Sequence, residues 1–385
     1  MNFWQIIKRE LQQLFIKDAK RAFYLFGASA TYAVLFGLLY MTGVVNYVPM
    51  VVYDQDQTQL SRSLVRAFED SDRYRVVAYV STQEEMEGYL QDKTAQAALA
   101  IPPDFNKDIK LGRASQIMLE ANGANIIIGN TIMSSAQEIM MGFSAGVGRS
   151  LLETVGQLPD PALNRAAPID FRLRVLNNPI LSYLDFFVLG VAMAALQQGV
   201  LLSVGASMTN EKFEEFHDTS PVVMLLGKIT PYWLGGVLSY MLALLIAVQG
   251  FGIPCRGSLT SIILVGAAFL FTVAIMGSLM ALICKDEVGF TQLSLSYTVP
   301  AFIYSGYTWP LHAMGIFSKV LASLFPITYA ANNVRDLMLA GYAPMLHYGV
   351  FTLLVAGLLL FAIAVRLYGR KLQLRKIPEQ AALMR

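Results

Sequence analysis

The sequence predicts an α-helical polytopic membrane protein with six transmembrane helices and an α/β external domain inserted between helices 1 and 2. Two observations support this fold class. Of the 385 residues, 55% are hydrophobic and 15% are charged, whereas about 25% of the residues of a typical soluble domain are charged. Apolar runs of about 20 residues, the length that crosses a bilayer, also recur along the chain, and one long polar stretch follows the first run.

The elements follow in order from these runs. Residues 1–21 place apolar side chains at helical spacing and charged side chains on the opposite face, which predicts an amphipathic helix lying on the membrane. The apolar run at 22–45 is too long for the hydrophobic part of a signal peptide, so it is predicted to be an uncleaved first span. Region 182–368 is predicted to contain the other five spans, at 182–208, 229–253, 259–284, 288–307 and 346–368.

Basic residues at the two ends of the chain predict its orientation. Positively charged side chains concentrate on the cytoplasmic side of membrane proteins, so both termini, including the tail 369–385, are predicted to be cytoplasmic. Six spans then place 46–181 and the segment 308–345 outside and the segment 209–228 inside. The apolar stretches of 308–345 are too short to span the bilayer and are broken by Gly and Pro, which predicts an external re-entrant segment. The flanking basic residues are Lys8, Arg9, Lys17, Lys20 and Arg21 before the first span, and Arg366, Arg370, Lys371, Arg375 and Lys376 at the other end.

The polar insert 46–181 is predicted to be a periplasmic α/β domain. Short β-like runs such as "PMVVYD", "YRVVAYV" and "AQAALAIP" alternate with amphipathic helical runs such as "TQLSRSLVRAFEDS". Such alternation is typical of an α/β domain with a mixed or parallel sheet.

Enzyme chemistry is weakly represented. The letters of Gly142–Gly146, "GFSAG", match the G-x-S-x-G nucleophile elbow, which needs a strand before the serine. The preceding residues are helix-like, and His217, His312 and His347 all lie outside this domain, so small-residue packing on a helix is favoured over a hydrolase. We therefore predict no catalytic residues in this chain.

Metal, nucleotide and nucleic-acid sites are not predicted either. The histidines and the two cysteines do not cluster at ligand spacing, and Gly227-Lys228 is followed by Ile229 rather than by the Ser or Thr of a P-loop. The net charge of +2 gives no indication of a nucleic-acid surface. No cofactor, ATP included, is expected to bind to this chain.

Polar and aromatic side chains within the predicted spans are candidates for a translocation path or gate. A polar group in hydrocarbon usually turns toward another helix or a watery path, and hydrogen bonding between helices is the favoured use here. Aromatic residues spaced by four on span 1 share one helix face, for packing or for binding. The candidates are Tyr32, Phe36, Tyr40, Gln197, Gln198, Gln292, Tyr307 and Trp309.

Three stretches carry a resemblance to a known family. They are "VVYDQDQTQLSRSLVRAFEDSDRYRVV" with its continuation in the polar insert, "LLGKITPY" at the start of span 3, and "PAFIYSGYTWPLHAMGIFSKVLASLFPITY" after span 5. In this order and topology they resemble the long ABC-2 type permease subunits of bacterial ATP-binding cassette exporters, a form with a large external domain. The motif residues of the last stretch are Ser305, Gly306, Pro310, Pro326, Thr328 and Tyr329.

The resemblance implies a transporter without its own ATPase site. Such a subunit pairs with itself or with a paralogue, binds cytosolic ABC ATPase subunits that carry the ATP, and exports an apolar or amphipathic compound, a drug being one candidate. It resides in the bacterial inner membrane, in contact with membrane lipid, and a periplasmic adaptor protein is a further candidate partner.

The acidic segment 209–228 occupies the place of the family's ATPase-coupling segment. It is the one sizeable predicted cytoplasmic loop, its acidic residues fall at helical spacing, and its two phenylalanines are candidate anchors. It lacks the Gly-Thr that usually follows the charged residues in the family, and a solvated connector is the alternative. The candidate coupling residues are Glu211, Phe213, Glu214, Glu215, Phe216 and Asp218.

Two other functions stay open from the sequence. The second hypothesis is a membrane-anchored receptor or assembly protein whose external domain binds a partner without transport. The third hypothesis is a hydrolase. ATP-dependent accumulation in inverted vesicles would distinguish an exporter from both.

Overall fold

The computed structural model describes residues 1–154, 175–209, 211, 213–216 and 219–383. These residues form two compact units, one composed of Met1–Gly43 with Val175–Arg385 and the other of Val44–Arg174. The first unit is helical, whereas the second contains the sheet.

The helical unit begins with a helix that is interrupted twice before it runs into the apolar core. Helix α1 spans Phe3–Gln12, and π-helical turns at Gln13–Lys17 and Phe23–Gly27 flank the short α2 at Ala19–Ala22. Helix α3 (Ala28–Leu39) completes this part. The later helices are α8 (Tyr183–Thr209), α9 (Pro221–Leu245), α10 (Leu259–Ile283), α11 (Glu287–Tyr304), α12 (Ile316–Ser323), α13 (Pro326–Ala340) and α14 (Leu346–Leu383).

Five helical stretches in the described part of the chain are long and apolar enough to cross a membrane: Ala19–Leu39, Tyr183–Thr209, Pro221–Gly250, Leu259–Ile283 and Leu346–Leu372. The protein is thus a mostly helical, multi-pass membrane protein. The sixth predicted span, 288–307, corresponds to α11, which has 18 residues. Its mean hydropathy is lowered by side chains such as Gln292, Ser294 and Thr298, so six spans remain a prediction.

Helix α8 forms the centre of the helical unit. It packs against α3, α9, α10, α11 and α13, and 78% of its apolar window is buried, compared with 17% for the window of α14. Glycine at position 199 permits this close packing, because a Cβ there would lie 2.3 Å from the carbonyl oxygen of Tyr24.

The second unit contains a four-stranded mixed sheet, as the alternating pattern predicts. Strands β1 (Val48–Asp54), β2 (Tyr74–Tyr79), β3 (Ala97–Ile101) and β4 (Met118–Ala121) lie in the order β2-β1-β3-β4. β1 is parallel to β2 and β3, and β4 is antiparallel to β3. The helices of this unit are α4 (Gln59–Glu69), α5 (Gln83–Gln91), α6 (Phe105–Lys110) and α7 (Ile126–Thr154).

Helix α7 closes over the sheet and contains the "GFSAG" letters. Tyr74 on β2 donates a hydrogen bond to the carbonyl oxygen of Ile132 at 2.6 Å, and Ser135 bonds the same hydroxyl at 2.8 Å. Ser144 lies well inside this 29-residue helix, whereas a nucleophile elbow requires a strand-to-helix turn. The serine is therefore a helix residue and not the apex of an elbow.

Candidate functional site

A cluster of buried charged side chains joins the N-terminal helix to the start of α9. Helix α1 begins at a capping box in which Asn2 and Gln5 bond each other's backbone. The amino group of Met1 donates to Thr219 Oγ1 at 3.0 Å, which fixes the beginning of α1 beside the coupling segment. Ile6 and Glu10 are fully buried and lie on the inner face of α1.

Glu10 is the centre of this cluster. Its Oε1 accepts from Lys228 Nζ at 2.7 Å, and its Oε2 accepts from the hydroxyls of Ser207 at 2.8 Å and Tyr232 at 2.9 Å. Burial alone would raise the pKa of the Glu10 carboxyl, but the charge of Lys228 and these hydrogen bonds outweigh burial and hold that pKa below its ordinary value of 4.5. Glu10 is therefore a carboxylate at neutral pH, and it is paired as a buried charge must be.

Lys228 reaches Glu10 because the residue before it has no side chain. A Cβ at Gly227 would lie 2.9 Å from Cβ and Cγ2 of Ile6, so glycine lets α1 pack closely on α9. The Lys228 side chain has no solvent exposure, and its Nζ also contacts a carboxylate oxygen of Glu211. The glycine and lysine of the "LGK" motif thus have structural roles: the glycine allows α1 to pack closely on α9, and the lysine forms an ion pair with Glu10 of α1.

Glu211 links the coupling segment to both helices. Besides contacting Lys228, it accepts from Arg9 Nη2 at 2.8 Å, and its side chain is only 2% exposed. Arg9 Nη1 also lies 3.0 Å from a carboxylate oxygen of Glu215, which is 51% exposed. One arginine of α1 therefore holds two acidic residues of the segment.

Phe216 is fully buried beneath these charges. The guanidinium of Arg9 lies 5.3 Å from the Phe216 ring centroid, and Lys228 Nζ lies 5.8 Å from it. Both distances fit cation–π contacts. The ring thus anchors the segment to this chain itself.

The candidate coupling residues therefore differ in accessibility. Glu211 and Phe216 face the interior and Glu215 faces outward. Phe213 and Glu214 lie on a 3-10 helix, Phe213–Phe216, and their side chains, like Asp218 as a whole, are outside the described residues. The role of all six in binding an ATPase stays a prediction.

Sequence reasoning missed the residues that hold the segment: Arg9, Glu10, Ser207 and Tyr232. Two signals were available, a lysine directly before a predicted span and a glutamate beside the apolar stripe of an amphipathic helix, because a charge in apolar surroundings implies a partner. The pairing itself, across 218 residues, is not visible in a single sequence.

The predicted path residues on α3 and at its C-terminal cap join an aromatic cluster that reaches α11. The Phe36 ring lies 5.8 Å from Tyr32 and 6.1 Å from Tyr40, and it makes an edge contact with Phe187 at 6.2 Å. Phe187 in turn lies 6.1 Å from Phe302, so side chains of α3, α8 and α11 form a continuous aromatic surface.

Tyr307 closes the far end of this cluster. Its ring is buried and lies 6.0 Å from Phe302, and its hydroxyl donates to the carbonyl oxygen of Phe186. Gly190 makes room for it, since a Cβ there would lie 2.3 Å from the tyrosine ring. The Arg335 guanidinium sits 4.7 Å from the ring centroid and donates to the Tyr307 carbonyl oxygen.

The glutamines of span 2 form hydrogen bonds with side chains of α11. Gln198 donates to Ser294 Oγ at 2.9 Å and accepts from Thr298 at 2.7 Å. Gln197 is fully buried, and its Nε2 lies 3.5 Å from Thr298 Oγ1. Gln292 and Trp309 are exposed.

Residues 22–366 match the family profile described as ABC-2 family transporter protein. That range covers most of the chain, so the chain belongs to the ABC-2 transporter family.

Three relatives from Escherichia coli (strain K12) illustrate the similarity. The inner membrane transport permease YhhJ is 24% identical over 94% of this chain and 96% of its own length. The probable multidrug ABC transporter permease YbhR is 22% identical over 88% of this chain and 90% of its own length. The probable multidrug ABC transporter permease YbhS is 27% identical, but the match spans 36% of this chain and only 37% of that relative.

Proposed function

We propose that the chain is the permease subunit of an ATP-driven exporter that moves an apolar or amphipathic compound out across the bacterial inner membrane. The observation that carries this proposal is the attachment of Glu211 to both Arg9 and Lys228. Through the contacts of Glu211, a movement of the coupling segment is transmitted to both α1 and α9. Separate cytosolic ATPase subunits would drive that movement, and Glu215 is an exposed acidic group, among the described residues of the segment, that is available to them.

A second permease subunit, identical or paralogous, would complete the assembly. Gln292 and Ser296 are exposed on α11 in the single chain, whereas polar side chains at membrane depth face protein or water. A partner covering this face, or a watery path shared with it, accounts for both residues. The aromatic cluster from Tyr32 to Tyr307 lies beside the same helix and is the surface we propose for an apolar substrate.

Six spans and cytoplasmic termini belong to this proposal. If α11 crosses the bilayer with the five more apolar helices, both termini lie on the same side, as the basic flanks predict. The sheet unit then lies outside. An adaptor protein could meet that unit.

The test measures transport and ATPase attachment together. Inverted vesicles containing the chain and the ATP-binding subunit that co-purifies with it should accumulate a fluorescent amphipathic dye when ATP is added. Glu215→Lys should weaken retention of the ATPase in a pull-down at low salt, with less difference at high salt, because exposed ion pairs are screened. Glu138→Lys, an exposed charge reversal on α7, is the matched control and should leave both signals unchanged.

Path residues are tested in the same vesicles. Tyr307→Phe removes only the hydroxyl that bonds Phe186, and Trp309→Ala removes an exposed ring; either change should alter dye uptake while the ATPase stays bound. Vesicles that retain the ATPase but never accumulate dye would instead favour the receptor or assembly function.

A further inference from the structure

An apolar groove of about 290 Å³ lies between the N-terminal helices and α9. Trp4 and Leu11 of α1 and Phe15 of the following turn form one wall, and Pro231, Leu234 and Leu238 of α9 form the other. This volume is at the lower end of the range for small-molecule sites, roughly 300–1,000 Å³. It suits a slender ligand better than a bulky one.

The chemistry of the lining selects an apolar ligand. Among the described residues that line the groove, only Thr230 and the Trp4 indole carry a polar side-chain atom. The Thr230 hydroxyl already donates to the carbonyl oxygen of Leu226 at 2.6 Å. The remaining surface of the groove is aliphatic and aromatic, so a ligand inside it gains burial of apolar area and little hydrogen bonding.

The position of the groove indicates where its ligand comes from. The α9 wall belongs to the stretch Pro221–Gly250, one of those long and apolar enough to cross the membrane. Leu234 is 50% and Leu238 60% exposed, and the exposed apolar face continues along the same helix to Leu242 and Leu245. The groove is thus continuous with a surface that hydrocarbon chains cover.

A basic side chain borders the groove on α1. Lys8 is exposed and follows Trp4 by four positions and precedes Leu11 by three, so it lies next to both on the helix surface. An ammonium group beside an apolar groove matches a molecule with an anionic head and an apolar chain.

We propose that this groove is a binding site for one acyl chain of an anionic phospholipid, with the headgroup phosphate beside Lys8. The lipid fills the space between α1 and α9 and so stabilises the position of the helix that carries Arg9 and Glu10. The proposal does not depend on the transport function, because lipid binding requires neither the ATPase nor ATP.

The test is native mass spectrometry of the purified, delipidated chain after addition of dioleoyl phosphatidylglycerol. The wild-type protein should retain one phosphatidylglycerol per chain. Leu234→Trp fills the groove and should lower the affinity about tenfold, the change expected when one to two methylene groups are excluded. Leu242→Trp places the same ring on the same helix outside the groove and should retain lipid as wild type does.

Two further variants keep the test independent of how well Leu234→Trp folds. Trp4→Ala opens the groove from the exposed side of α1 and should also lower retention. Lys8→Gln should reduce the preference for phosphatidylglycerol over phosphatidylethanolamine while leaving the bound chain in place. Equal retention in the Leu234, Trp4 and Leu242 variants would overturn the proposal, as would a change of oligomeric mass in Leu234→Trp, because the groove would then hold a second copy of the chain.

Discussion

At the scale of single residues, the buried charges set the strongest constraint on the structure. Lys228 has lost all contact with solvent, and an isolated ammonium in such a place is strongly unfavourable. It is tolerated because two carboxylates, those of Glu10 and Glu211, lie against it. The hydroxyls of Ser207 and Tyr232 donate to the oxygen of Glu10 that Lys228 does not contact. Both oxygens of the Glu10 carboxylate therefore have hydrogen-bond partners.

Removing one member of the Glu10–Lys228 pair should lower the stability of the folded protein more than removing both charges. Lys228→Met leaves Glu10 as an uncompensated buried carboxylate, and breaking a buried pair in this way typically costs about 3–5 kcal/mol. Glu10→Gln combined with Lys228→Met leaves no such charge at this pair. We therefore expect a clear loss of thermal stability in Lys228→Met and partial recovery in the double variant, measured by tryptophan fluorescence in detergent.

The control for this cycle is Lys285→Met, which removes an exposed lysine and should leave the melting temperature close to that of wild type. Additive losses in the double variant would mean that Glu10 and Lys228 do not interact.

At the scale of elements, the sequence predicts the long apolar helices but not the short π-helical and 3-10 turns. Helices α8, α10 and α14 correspond to apolar runs whose length and hydropathy predict membrane-spanning helices. The alternating runs of the polar insert predict its strands. The π-helical turns at Gln13–Lys17 and Phe23–Gly27 have no signal in local propensity. The coupling segment forms a 3-10 turn at Phe213–Phe216, where helical spacing predicted charges on one face. Its Glu211 is instead drawn inward by Lys228 and by Arg9, which lies 202 residues away in the sequence.

Close packing of α1 on α9 depends on one glycine. Gly227→Ala would place a methyl group 2.9 Å from two carbons of Ile6, closer than van der Waals contact allows, so α1 must shift and Glu10 must move from Lys228. We expect a lower melting temperature, measured in detergent as above. Adding Ile6→Ala removes the Cγ2 contact but leaves the contact with the Cβ of residue 6 at 2.9 Å, so the recovery should be no more than partial.

Gly250→Ala serves as the control for this prediction, because a Cβ there meets no atom closer than 3.9 Å. A Gly227→Ala protein as stable as wild type would show that α1 is not held against α9 at this position.

At the scale of the whole molecule, helix number and orientation are linked. Among the residues that the structure describes, five helices fulfil the length and hydropathy required of a span, and five spans would place the termini on opposite sides. The basic residues at both ends favour the same side, which requires one more crossing. In the described part of the chain, helix α11 is a further candidate. Its Ser294 accepts a hydrogen bond from Gln198 and its Thr298 donates one to Gln198, which reduces the cost of placing these polar residues in hydrocarbon.

Cysteine labelling decides between five and six spans. In a background with Cys255→Ser and Cys284→Ser, single cysteines replace Lys285 before α11 and His312 after it, both exposed in the structure. A membrane-impermeant maleimide applied to intact cells should modify the cysteine at 312, and also one that replaces Asp92 in the sheet unit. The cysteine at 285, like one replacing Glu215 in the coupling segment, should react only after permeabilisation. If the cysteines at 285 and 312 react from the same side, α11 does not cross the bilayer. The termini then lie on opposite sides, and an arrangement with both termini beside cytosolic ATPase subunits is excluded.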